Sequence, residues 1–517
     1  MKIILAGYNL DQQVIEELGQ NALGSENRTP ETIAAAYARI SRSPQPVDEL
    51  RATSRREVEK ARRSNRMIVF EMGHSSIAEH AVFNIDILGV SRLLVEEIER
   101  FRLASYTEKS QRYVLLQDDF VIPEEIKGTG LEGPFVETIR LQNQLYHLLY
   151  DALLPYVLEK NRGLAEDTSN RSMLEGWAKE DARYTLALAT ETQLGMTINA
   201  RNLERMIRRF AAHPLAEAKR FGQHLYNVTV EVAPSLIRYT GSTDYDRYAY
   251  SGLKASVATV IANHPAADME AEWVPPGWRI RRDNREDSSG GPLVRLVNTT
   301  PDADDYVTAC LIHTSSSLPM EQCLTLAVRL DDAQRGSLFR AALAHMQSYD
   351  AAPREFEHAE LSFDIVLSAS AFAQMKRHRI ATITAQDYDP SLGITIPPSI
   401  KAVGMEGALR TLIMKTEETF REIYREAPAV APYILTNAHR KRILMKVNAR
   451  EMYHIARLRS DRHAQWDIRQ IADAMLALGR QAMPFTMMLA TGKDGFADLY
   501  GRVMKQPNNG AKEKEYV

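Results

Sequence analysis

Apolar positions along the first third of the chain recur in two rhythms. Residues 81–88, AVFNIDIL, alternate apolar and polar side chains, the period of a strand with one buried face. Residues 1–7 open with a short apolar run that reads as a buried strand. Helical spacing marks residues 30–41, with Thr29 placed as the cap and Pro30 in the first helical position. A charged helical stretch over 48–72 should stop at Gly73. Longer helical patterns cover 131–159, 182–210 and 214–231. The rhythm then breaks. Pro265, Pro275, Pro276 and Gly277 precede the run DNREDSSGGP, which is the chemistry of a linker. Patterned sequence resumes near Leu293, and the polar stretch from Gln506 reads as a frayed tail. These divisions predict a first domain over 1–262, a linker over 263–292, a second domain over 293–505 and a flexible tail over 506–517.

The second set of elements repeats the first. One copy runs Glu79-His80, a strand, Arg100-Phe101-Arg102, then Asn199-Ala200-Arg201. The other runs Glu357-His358, the strand-like LSFDIVLS of 361–368, Arg377-His378-Arg379, then Asn448-Ala449-Arg450. His80 to Arg100 spans 20 positions and His358 to Arg377 spans 19, with RLAS after Phe101 matched by RIAT after His378. Four ordered matches in equivalent contexts point to internal duplication of one α/β domain.

A chain of 517 residues is too long for one ordinary core, and 44% hydrophobic with 25% charged residues is soluble globular composition. Net charge of −3 argues against a general affinity for nucleic acid or acidic membranes, so a basic site must be a local concentration of arginine. Two cysteines, Cys310 and Cys323, exclude a disulfide scaffold and a multi-cysteine zinc site and fit a reducing compartment. The N-terminal apolar run is too short for a signal segment, and no run approaches the ~18 apolar residues that span a bilayer. A soluble, cytoplasmic protein is expected.

Three segments carry candidate chemistry. Arg377-His378-Arg379 sets three potential cations side by side, suited to phosphate or pyrophosphate; the bland alternative is a solvated basic helix end, since Lys376 adjoins it. In SYTEKSQRY (residues 105–113), Glu108, Ser110 and Arg112 fall on one side of an extended loop and could meet a ribose, a base edge and a phosphate, or simply solvent. In the stretch over 447–472, Asn448 and Arg459 lie eleven residues apart, three helical turns, and so share a face, while Arg450 and His454 lie one turn apart. Met452, Ile455 and Trp466 read as core, Asp461 as an N-cap, and His463 as either a satisfied histidine or a ligand. Arg183 falls on the helical pattern leading into Asn199.

With these strings in hand, the chain resembles the flavin-dependent thymidylate synthases. RFRLASYTEKSQRY (residues 100–113) is similar to that family's RHR motif followed by E-x-S-x-R-Y, with Phe101 for histidine and Thr107 for the usual asparagine. GHSSIAEH (residues 73–80) looks like its GH-x-S-x-x-EH, and NAR-x-x-x-H-x-x-x-L-R-x-D-x-H-A-Q-W in the second copy is close to its downstream signature. The copies depart from the family in nearly complementary ways. The second copy has Ala385, Asp387 and Asp389 where Glu, Ser and Arg belong, Ala352 for the GH histidine, and Pro432 opposite Arg183. The first has Phe210, Pro214 and Ala216 opposite Arg459, His463 and Gln465.

The resemblance implies two α/β (α+β) domains, each a small antiparallel sheet flanked by long helices. It implies conversion of dUMP to dTMP with FAD as cofactor and NADPH and methylenetetrahydrofolate as co-substrates, without a cysteine nucleophile. Nucleotide contacts would come from Glu108, Ser110, Gln111, Arg112, Arg183, Gln374, Arg377 and Arg459. Arg459 would favour the anionic uracil, and Ser110 would lie near the reacting base. FAD contacts would come from His74, Ser76, Arg377, His378, Arg379, Asn448, Arg450 and His454, with Asn199 and Arg201 as first-copy equivalents. Complementary losses imply one composite site per pair of unlike copies and a homodimer that mimics the family's tetramer, with no nucleic-acid or membrane partner and no metal. Two alternatives stay open: a related flavin-dependent enzyme acting on another pyrimidine nucleotide, and a degenerate, non-catalytic flavin- or nucleotide-binding homologue.

Overall fold

The computed structural model describes residues 1–19, 28–264, 281–282 and 293–505. Strands β1 (Lys2–Tyr8), β2 (Val82–Ser91), β3 (Ala104–Glu108) and β4 (Glu191–Asn199) form one antiparallel sheet in the order β1-β2-β4-β3. Strands β5 (Arg281–Arg282), β6 (Leu293–Thr299), β7 (Glu360–Ser368), β8 (Thr382–Ala385) and β9 (Arg440–Asn448) form the other, in the order β5-β6-β7-β9-β8. Without the two-residue β5 the two orders are the same, and helices flank both sheets. The fold is α/β of the α+β kind, two similar domains in tandem.

Irregularities in the sheets repeat as well. β1 slips against β2 between Leu5 and Gly7, and β6 slips against β7 between Leu296 and Asn298, the same place in both sheets. A further slip between Leu88 and Val90 has no counterpart in the register of β7 with β9. Gly89 sits there with φ of 70°, and an added Cβ would come within 3.0 Å of the Met1 nitrogen. That single bulged residue accounts for the spacing of 20 in one copy and 19 in the other.

The strand patterns agree with burial. Phe83, Ile85 and Ile87 face the core from β2, and Phe363, Ile365 and Leu367 from β7. In the second unit Ile468, Ile471 and Met475 of the helix Trp466–Ala482 join that sheet's core. Each such side chain contributes ~1.5–3 kcal/mol, so packing and not the polar groups described below carries this unit's stability.

Several expectations need correction. Residues 182–210 are not one helix. The helix Arg171–Ala182 ends in a 3-10 turn, Arg183–Thr185; then come β4 and the helix Ala200–Ala211. In β4, Thr192, Leu194, Met196 and Ile198 are buried and Glu191, Gln193, Gly195 and Thr197 exposed, so period two was present beneath the helical reading. β1 is an edge strand with Ile3 alone buried, because it has a neighbour on one side only. The helix Glu31–Ile40 is preceded by another, Gln12–Gly19, and Pro30 stands at its cap position, while the Thr29 hydroxyl accepts from the Glu31 N–H at 3.2 Å. The charged stretch is two helices, Val47–Arg56 and Val58–Asn65, and a wide turn over Arg66–Glu71; it stops at Gly73, whose φ is 77°. The helix Asp244–Asn263 had no counterpart in the sequence pattern.

The chain divides into two compact units, Met1–Asp268 with Gly407–Leu435, and Met269–Glu406 with Thr436–Val517. Residues 407–435, drawn above with the second domain, thus pack in the first unit. The reason is a seam of buried polar contacts along the helix Glu132–Lys160: Thr138 and Thr419 hydroxyls meet at 2.8 Å, and Gln142 Nε2 donates to Thr416 Oγ1 at 3.0 Å and to the Ile434 carbonyl at 2.9 Å. Of the expected linker, residues 265–280 and 283–292 lie outside the described residues, as does the expected tail over 506–517. Among the described residues, no helix is long and apolar enough to cross a membrane.

Candidate active site

In the first unit, β3 ends at Glu108 and delivers the loop that carries Ser110, Gln111 and Arg112. Glu108 forms an ion pair with Arg92, the first residue of the helix Arg92–Ile98, and accepts from Thr192 Oγ1 at 3.4 Å. Arg112 forms an ion pair with Glu180, and its N–H donates to Ser110 Oγ at 3.1 Å. Gln111 is buried. Arg183 closes the cluster, 5% exposed, with Nε donating to the Glu180 carbonyl at 3.2 Å. Burial depresses the Arg183 pKa, Glu180 opposes the shift, and Arg112 and Arg92 add to it. A guanidinium does not give up its proton in a protein, so Arg183 stays charged in this buried cluster. Guanidinium groups gathered in this way are suited to binding an anion such as a phosphate.

Arg92, Glu180 and Thr192 were missed in the sequence. The signal for Arg92 was a lone arginine opening the apolar helix RLLVEEI. Glu180 lies in the helix Arg171–Ala182, one turn before Arg183, and that spacing could have found it.

In the second unit, Ser368 ends β7 and caps the helix Ala369–Met375, which leads directly into Arg377, His378 and Arg379. Arg377 is half-buried, Arg379 exposed and His378 only 3% exposed. Arg459 ends the helix Ala449–Arg459; its Nε donates to His378 Nε2 at 3.1 Å, and its Nη2 donates to the Gln374 carbonyl at 3.2 Å. Gln374 Nε2 in turn donates to Gln465 Oε1 at 3.3 Å, the atom that caps the helix Trp466–Ala482. Gln465 therefore takes the capping role expected of Asp461, which instead accepts from the N–H groups of His463 and Asp494. Burial lowers the His378 pKa; Glu451 opposes that, and Arg459 and His454 reinforce it. His454 is exposed and its ring meets that of His378 edge-on at 5.6 Å. His463 is exposed beside Arg462. Met452 and Ile455 are core residues, while Trp466 is half-buried.

Asn199 and Asn448 play one role in the two copies: each ends a central strand and caps the following helix, accepting from the Asn202 and Glu451 N–H groups at 3.0 and 2.8 Å. Asn448 thus caps the start of the helix that Arg459 ends. Arg201 pairs with Glu79, and Arg450 with Glu357 at 2.8 Å and with the Ala352 carbonyl at 2.7 Å. These matched pairs tie each helix to the 3-10 turn before the strand. His74 and Ser76 are exposed and line a cavity of about 500 Å³ in the first unit with Tyr37, Arg42, Ile68 and His80.

A cation fits less well. His378, Glu451 and His454 offer ligand atoms within 4.8 Å of one another. With Nε2 accepting from Arg459, however, the neutral His378 ring carries its proton on Nδ1, the nitrogen a cation would need. Arg457 and Arg459 add positive charge beside His454.

Comparison of the two units shows what each has given up. Where the second has the His378–Arg459 contact, the first has Phe101 and Phe210, ring centroids 5.9 Å apart. Where the first copy of the sequence has Arg92, Glu108, Arg112, Glu180 and Arg183, the second copy has Ala369, Ala385, Asp389, Ala429 and Pro432, the last two on the segment that packs in the first unit. Each copy keeps one polar cluster whole and replaces the other.

The family model described as thymidylate synthase complementing protein matches residues 22–235 and again 295–485, more than half of the chain in two stretches. UPF0159 protein Ta1429 of Thermoplasma acidophilum is 24% identical over 478 residues, 85% of this chain and 91% of that protein. A flavin-dependent thymidylate synthase of Clostridium tetani is 32% identical over 215 residues, 41% of this chain and 82% of that protein. Among solved structures, a UMP/dUMP methylase PolB from Streptomyces cacaoi has a TM-score of 0.31 and 16% identity over 39% of this chain and 96% of its own, too slight a likeness to argue from.

Proposed function

Because the chain belongs to the thymidylate synthase complementing protein family, as a tandem duplication of two diverged copies, we propose that it is a flavin-dependent thymidylate synthase that converts dUMP to dTMP. One working site takes its phosphate-binding residues from a first copy and its histidine–arginine pair from a second. Arg112 and Arg183 hold the nucleotide phosphate through their guanidinium groups. Glu108 and Ser110 orient the sugar and base, with Gln111 behind them. Arg459, its plane fixed by His378 and Gln374, donates to the uracil and stabilises negative charge on the ring. Arg377, Arg379, Asn448 and His454 hold FAD, with His74 and Ser76 at the ring. Arg450 and Arg201 serve mainly to fasten the turns they pair with. When bound, FAD and NADPH supply the hydride and methylenetetrahydrofolate the one-carbon unit.

The observation that carries this reading is the coherent division of polar clusters, Phe101 with Phe210 standing for His378 with Arg459. Losses scattered over both clusters of both copies would instead favour a non-catalytic homologue. Incubating the purified protein with FAD, NADPH, methylenetetrahydrofolate and dUMP tests it, and dTMP is the expected product. Flavin oxidation and reduction without dTMP would point to another pyrimidine nucleotide. Absence of flavin binding would leave a homologue without turnover.

A further inference from the structure

Glu451 is a buried carboxylate beside the second cluster. It is 7% exposed, its N–H is held by the Asn448 cap, and its Oε1 lies 3.3 Å from His378 Nδ1. Among the described residues Nδ1 has no hydrogen-bond partner of good geometry. The opposite nitrogen, Nε2, receives the Arg459 Nε–H. We infer that Glu451 is a positioning residue: its carboxylate keeps the His378 proton on Nδ1, leaving Nε2 as the acceptor that holds Arg459 in plane.

Three arguments converge. The first is geometric. A ring protonated on Nε2 would set that N–H against the Arg459 Nε–H and the Nδ1 lone pair against a carboxylate, two repulsive contacts in place of two attractive ones. The second is electrostatic. A doubly protonated ring would put a cation beside Arg459; among the described residues Glu451, Arg459 and His454 are the charged and titratable groups that act on it most strongly. The third comes from the duplication. The first copy has Asn202, Phe101 and Phe210 in place of Glu451, His378 and Arg459, so the three residues are replaced as one unit. The consequence for catalysis rests on the thymidylate synthase reading; the tautomer does not.

The test uses the full-length protein labelled with ¹⁵N at histidine, as wild type, Glu451→Gln and Glu451→Leu. Ring nitrogen shifts report the His378 tautomer, and initial rates of dTMP formation report its consequence. In the wild type His378 should be Nδ1–H. Glu451→Leu should move it toward Nε2–H and lower kcat roughly 10- to 100-fold, with nucleotide KM changed little, because a misaimed group costs more in the transition state than in binding. Glu451→Gln keeps an acceptor and should restore most of both. Unchanged ring shifts in Glu451→Leu, or changed shifts with undiminished kcat, would overturn the proposal. If the wild type forms no dTMP, the function assigned above fails, while the ring shifts still decide the role of Glu451.

Discussion

Arg459 and Phe210 occupy equivalent positions at the ends of equivalent helices, and truncating each to alanine should have opposite effects. Arg459 is half-buried, and its hydrogen bonds include those to His378 and the Gln374 carbonyl. Net contributions of ~1 kcal/mol each, with water able to replace the guanidinium, put the stability loss of Arg459→Ala at about 1–2 kcal/mol. If the guanidinium stabilises charge on the uracil, its removal should lower kcat on the order of 10²- to 10³-fold. Phe210 is 2% exposed, packs against Phe101 at 5.9 Å and Phe221 at 5.0 Å, and approaches Gly222 so closely that a Cβ there would come within 2.8 Å of its own. Phe210→Ala should therefore cost about 3–5 kcal/mol of the first unit's stability and leave kcat within a few fold at a temperature where that unit stays folded. Initial rates of dTMP formation measure one effect. Amide hydrogen exchange in the helices Ala200–Ala211 and Ala449–Arg459 measures the other without assuming that the two units unfold together. Undiminished turnover in Arg459→Ala, or an equal loss of turnover in the stably folded Phe210→Ala, would refute the division of roles.

Other consequences follow from the same contacts. Arg112→Ala should weaken dUMP binding roughly 10- to 100-fold by calorimetry, the value of one charge-assisted contact. Glu180→Gln should tighten binding, since Glu180 competes with phosphate for Arg112, while lowering stability by about 3 kcal/mol through an unbalanced buried charge. His439 is wholly buried, and burial pulls its pKa from 6.5 to about 4. Its contribution is thus present above pH 6.5 and lost as pH falls from there toward 4, a total on the order of 3 kcal/mol that His439→Gln should remove from the pH profile of unfolding. Gly492→Ala would set a methyl against the Ser460 carbonyl and 2.9 Å from Asp461 Cα, so the chain just past Arg459 must shift. A melting temperature lower by several degrees together with reduced turnover is expected, and a neutral outcome would mean that this end of the helix is free to move.

What was legible in the sequence was mostly periodic or repeated. The alternation of 81–88 announced β2, and the paired Asn-Ala-Arg strings marked the two places where a central strand ends and a capped helix begins. The strand β4 was lost because the apolar run before it, LALA at 186–189, and the helical pattern after it bracketed an alternation whose buried positions open on the polar Thr192. The first cluster was half legible. Its loop residues sit within a motif, but Arg92 and Glu180 reach it from other elements, and of these two Glu180 alone leaves a spacing to read, one turn before Arg183. Gly89 is the reverse case: a one-residue mismatch between the copies looked like noise and is a bulge.

The paired losses need care, because part of the pattern follows from stability alone. Removing one member of a buried ion pair or hydrogen bond strands the other, whereas replacing both with apolar groups is nearly neutral. Phe101 with Phe210, and Ala369 with Ala385, are therefore what any drifting copy would settle into, working or not. Energetics does not explain why the copies discarded different clusters. Without a demand for both, the same cluster could decay in both copies, or both clusters in each, at no greater cost in folding. Here the first unit keeps Arg92, Glu108, Arg112, Glu180 and Arg183 together and the second keeps Gln374, His378, Glu451 and Arg459 together. A duplicated enzyme that needs one complete set per pair of copies is constrained in this way, and that constraint is what the opposed Arg459 and Phe210 variants probe.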